Sequence, residues 1–137
     1  MDISFAAISW LAVIAAIIAG QVVLTLWFTV LFGNPWAKAY GAETRADHAK
    51  DVPGSTYGIG LICMIALVLA TELLHQAAGI DSISGGLVFG LIASLGYGVA
   101  TVLPGYAFLK KSDAGRIAAG SQAIAIFVVS FVLGALG

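Results

Sequence analysis

The sequence predicts an all-α fold, an integral membrane four-helix bundle forming a single transmembrane domain over residues 1–137, and three observations carry that expectation. The chain is 61% hydrophobic and only 9% charged, with a mean hydropathy of +1.04, whereas soluble domains carry roughly 25% charged residues. Four apolar stretches, at about 3–32, 56–76, 83–108 and 115–136, are each long enough to cross a hydrocarbon core of roughly 30 Å. All six Lys and Arg side chains fall in two of the connecting segments or, for Arg116, at the edge of the second of them.

The first stretch has no basic residue ahead of it and runs well past the roughly 7–15 apolar residues of a signal sequence. It reads as an uncleaved span that should tilt or project from the bilayer, since 30 helical residues would reach about 45 Å. No stretch alternates with period two, so helices rather than barrel strands satisfy the backbone in lipid. Loop one then holds Lys38, Arg45 and Lys50, and loop three holds Lys110, Lys111 and Arg116. With four spans those loops share a side, and the positive-inside rule puts them in the cytoplasm, with both termini outside.

Loop one opens on Asn34-Pro35-Trp36, where proline suits the first turn of a new helix. Residues 35–50 are accordingly expected to form either a short interfacial helix, anchored by Trp36 and Tyr40, or a solvated loop. The first and third spans both end near a proline, at Asn34-Pro35-Trp36 and Leu103-Pro104-Gly105. Taken as two turns, these hint at a repeat of two helical hairpins.

Helix association in lipid depends on close backbone approach. Gly86, Gly90, Ser94 and Gly98 lay a groove of small residues along the third span, and Ala12, Ala16 and Gly20 form a matching ridge on the first. The sequence leaves open whether the groove receives a helix of the same chain or of a second protomer.

Few residues offer chemistry. Glu72 is the one acid inside a span, and an intramembrane carboxylate is a functional candidate by default. Near the outer end of the second span it is also placed to reach toward the interface beside His75 and Gln76. His75 shares its face at i+3, but a di-metal site of the Glu-x-x-His type needs further glutamates that the other spans lack. Gln21, Thr25, Tyr57, Tyr97, Thr101 and Gln122 have comparable depths and are expected to converge in the bundle interior, as a polar pocket or as interhelical hydrogen bonds. His48, between Asp47 and Asp51, reads as part of a solvated mixed-charge loop. The single cysteine, Cys63, excludes an intramolecular disulfide and a thiolate metal motif. No metal, cofactor or catalytic constellation is expected, and the net charge of −1 gives no reason to expect nucleic acid.

Trp27, then Leu31-Phe32-Gly33-Asn34-Pro35-Trp36, then Lys38 to Gly41, resembles the bacterial DUF1761 family of small four-helix membrane proteins. The run 85–90, Gly96-Tyr97-Gly98, Gly120-Ser121-Gln122 and Val132-Leu133-Gly134 are similar to the rest of that family. Members often carry a Tyr-Ser-Pro or similar turn after the first tryptophan and an aromatic or histidine near the position of Gln122. Phe28-Thr29 and Gln122 stand there in this chain. The resemblance implies the architecture and transfers no catalytic residue.

On function the sequence favours a non-enzymatic oligomeric or accessory subunit that packs through small-residue faces. Its partners would be the lipid bilayer and either further copies of itself or a larger membrane complex. The rival is a small proton- or cation-coupled transporter or channel using Glu72.

Overall fold

The computed structural model describes residues 1–137 and is built of helices and their connecting loops, without strands. Four helices are long and apolar enough to cross a membrane: Trp10–Leu31, Gly54–Ala78, Ile83–Phe108 and Ser112–Leu136. The last three lie within three residues of the expected boundaries. The first is shorter than expected, because residues 1–9 are non-helical apart from a 3-10 turn at Phe5–Ala7. That segment folds back over the second span: the Ser4 N–H donates to Gln76 Oε1 at 3.1 Å, and Ile8 is buried in the core. The helix then starts after Ser9 and, at 22 residues, measures about 33 Å, so the expected overhang does not arise.

The fourth span is the hub. Its one face receives the third span, its other face the first, and the second span lies against the first and fourth. The groove of Gly86, Gly90, Ser94 and Gly98 is therefore filled from within the chain. A Cβ on Gly86 would sit 2.6 Å from the Ser130 carbonyl oxygen, one on Gly90 3.1 Å from Ser130 Cβ, and one on Gly98 3.1 Å from Ala123 Cα. Four-residue spacing drifts by about 40° per step around an α-helix. A wider π-helical turn at Ser94–Val99 takes up part of that drift. It brings Gly98 back to the buried face, and Ser94 Oγ donates across to the Ala123 carbonyl at 2.7 Å. Ala12, Ala16 and Gly20 are likewise buried, but they face the fourth span and Met64 rather than the third span.

Loop one forms two short helices, Gly33–Ala39 and Arg45–Lys50, instead of one continuous helix. The break falls at Gly41, whose φ of +83° favours glycine. Pro104 lies inside the helical segment Ala100–Phe108 and not in a turn. The third span instead ends beyond Phe108, where Lys110 takes a φ of +56°. The two prolines thus occupy different local structures, and the hairpin repeat loses its independent support.

Candidate functional site

The end of the bundle that carries the chain termini holds a closed polar cluster. Glu72 is 6% exposed and His75 3% exposed, so the carboxyl does not reach out to the interface as its shallow sequence position allowed. The N-terminal segment covers it, Gln76 Nε2 donates to Glu72 Oε1 at 3.4 Å, and Gly137 packs alongside. His75 bonds across the bundle, with Nε2 2.8 Å from Ser130 Oγ. Ser130 has one hydroxyl hydrogen, which it donates to the Gly86 carbonyl at 2.7 Å. Its oxygen must then accept from His75, which fixes the proton of His75 on Nε2. The Phe89 ring meets the imidazole edge-on at 5.0 Å. Glu72 and His75 share a face yet take different partners, and no Lys or Arg pairs with Glu72. No three His, Cys, Asp or Glu residues stand close enough together to hold a metal ion.

The opposite, basic end is open. A groove of about 520 Å³ runs between the first span, the loop-one helices and the second span. Gln21, Thr25 and Tyr57 line it, so half of the expected polar set does come together. The other half does not: Tyr97 is 72% exposed, and Thr101 and Gln122 are exposed as well. Convergence required the third span to stand beside the second, whereas the fourth span separates it from the first. The Thr101 hydroxyl turns back to the Tyr97 carbonyl of its own helix.

Aromatic side chains tie the loops together at this end. Trp27 Nε1 donates to the Ile117 carbonyl at 2.9 Å, over Gly120, where a Cβ would clash with the indole. Phe28, Trp36 and Tyr40 follow one another at ring distances of 5.0 Å, and His48 stacks on Tyr40 at 5.7 Å. Lys111 Nζ lies 4.6 Å from the centre of the Tyr40 ring and donates to the Ala39 carbonyl. Burial, with the Tyr106 hydroxyl beside it, pushes the Tyr40 phenol up to about 12. His48 is thus part of an aromatic stack rather than a freely solvated loop.

Residues 11–134 match the family model described as a protein of unknown function, DUF1761. The chain belongs to that family. No curated protein and no solved structure matches it. The DUF1761 match takes in nearly all of the four spans, and with them both the closed cluster and the groove. Within this DUF1761 chain, sequence reasoning missed Ser130 and the Gly86 carbonyl. The available signal was that Ser130 is the only polar side chain in the last half of the fourth span, about as far from the helix end as Glu72 and His75 are from theirs.

Proposed function

We propose that this membrane protein is a small proton- or cation-coupled transporter in which Glu72 is the coupling group. The observation that supports this reading is a carboxyl group 6% exposed inside a span with no Lys or Arg partner. A charge held in hydrocarbon is costly and is rare unless a transported proton, a cation or a partner group compensates it. His75 and Ser130, one turn away and across the bundle, supply a second titratable group and a hydroxyl for handing a proton or desolvated cation onward. On this reading the basic loops lie in the cytoplasm of a bacterial inner membrane and Glu72 draws on the outer side, as the placement of Lys and Arg favours. The test is proton uptake by proteoliposomes that enclose a pH-sensitive dye, driven by a candidate cation gradient. Flux is expected with the wild-type chain and should be lost with Glu72→Gln; equal flux from the two proteins would sink the proposal.

The oligomeric reading keeps support at a different place from the grooves that suggested it. Residues 53–63 are all exposed, and Gly54 and Gly58, one helical turn apart and outside the groove lining, have empty space where a Cβ would point, which suits a neighbouring helix. Cys63 lies on that half of the second span but about 140° round the helix from Gly58, so the reporter is Gly58→Cys in a Cys63→Ser chain. Oxidative cross-linking in native membranes should yield a disulfide-linked dimer if second spans pair there, and only monomer if they do not.

A further inference from the structure

We infer that the groove at the basic end is a binding site for an anionic phospholipid, with its charged head at Arg45 and one acyl chain running between the first and second spans. This site is separate from Glu72 and stands or falls independently of the transport reading. The volume of about 520 Å³ falls within the roughly 300–1,000 Å³ usual for ligand pockets, and its walls run from the cationic Arg45 to a stretch where Leu24 and Phe28 stand beside Gln21 and Thr25. At the mouth, Arg45 is the one groove-lining cation whose charge is permanent, and it is in no ion pair: Asp47 pairs with Lys50 and Asp113 with Arg116.

Local structure holds Arg45 in place. Its N–H donates to Asn34 Oδ1 at 3.0 Å, and its methylene stem lies over Gly33, where a Cβ would come within 2.7 Å of Arg45 Cδ. The guanidinium is thus presented from a fixed stem, which suits bidentate recognition of a phosphate. His48 stands beside it, and Trp36 and Tyr57 supply the amphipathic rings that settle at headgroup level. Deeper in, Leu24 and Phe28 face Gly60, whose missing side chain leaves room for a chain. Basic pockets between spans are a recurrent way of holding anionic lipid heads.

The test is native mass spectrometry of the full chain released from detergent after incubation with phosphatidylglycerol or phosphatidylcholine of matched chains. Wild-type protein should retain phosphatidylglycerol about tenfold more than phosphatidylcholine, the scale of a charge-assisted contact. Arg45→Met, which keeps the stem over Gly33, should bring the two lipids level. Gly60→Leu, at an exposed position with space around it, should reduce retention of both. Lys50→Ala, outside the groove, should change nothing. Equal retention of the two lipids by wild type, or an unchanged preference in Arg45→Met, overturns the site. Equal loss in Lys50→Ala overturns it in favour of a diffuse charge effect. Displacement by free glycerol phosphate, or loss of binding in Gln21→Leu at the deep end, overturns the assignment of an acyl chain.

Discussion

The two ends of this bundle treat polar groups in opposite ways. At the terminal end, Glu72, His75 and Ser130 are drawn into the interior with Gln76 half-buried at its edge, and each takes a partner from the protein. At the basic end, Gln21, Thr25, Tyr57 and Arg45 face a groove that the chain itself leaves open. The contrast follows from helix packing. Glycines at 86, 90 and 134 let the third and fourth spans meet backbone to backbone. The first and second spans close around Met64 against Gly20 and diverge below it. Between the two ends lies an apolar core of Val13, Ala16, Met64, Val68 and Val129.

Glycine substitutions probe that difference most strongly. Gly86→Ala forces a methyl to within 2.6 Å of the Ser130 backbone oxygen and should cost about 1–3 kcal/mol. Gly60→Ala, with nothing within 4 Å, should stabilise the helix by about 0.5–1 kcal/mol. Unfolding in mixed micelles measures both, and a similar sign for the two would erase the distinction between a closed and an open end.

Ser130→Ala comes next. It removes the acceptor for His75 Nε2 and the donor to the Gly86 carbonyl, and a buried polar group left unpaired costs about 1–3 kcal/mol. Ser94→Ala deletes a single interhelical bond, to the Ala123 carbonyl, and should cost about 1 kcal/mol. The same micelle titration ranks the pair; an equal cost would mean that the terminal cluster is not a coupled network.

The smallest effect belongs to Tyr40. Because its value is raised from 10 to about 12 in the folded chain, the stability it lends is complete below about pH 10 and is lost as the pH rises through about 12. Tyr40→Phe should remove that alkaline loss and leave neutral stability almost unaltered. Thermal melts at a series of alkaline pH values, read beside tyrosinate absorbance, check it.

Much of this architecture was legible in the sequence, since membrane helices must satisfy their backbone internally and hydropathy marks where they do so. The apolar stretch at 83–108 has the same bounds as the helix Ile83–Phe108. The start of the first span was not legible, because residues 3–9 are apolar without forming an α-helix, and the fold-back that sets the Ser4 N–H against Gln76 joins residues 72 positions apart. Glu72 and His75 could be singled out as rare polar groups in a span, but their partners depended on which helices adjoin. That order rests on small-residue faces, and the sequence shows such faces without showing which of them meet. Tyr97 and Gln122 were misplaced for the same reason: equal depth does not imply a shared side of the fourth span.

A coupling role for Glu72 requires that its carboxyl be held for function rather than for packing. The unfolding free energy of Glu72→Gln tests this directly, because the amide keeps the shape and an acceptor for Gln76 while removing the carboxyl. A group retained at a cost to the fold predicts a variant at least as stable as wild type. A loss of about 2 kcal/mol or more would show that the carboxyl is a structural strut and would contradict the account.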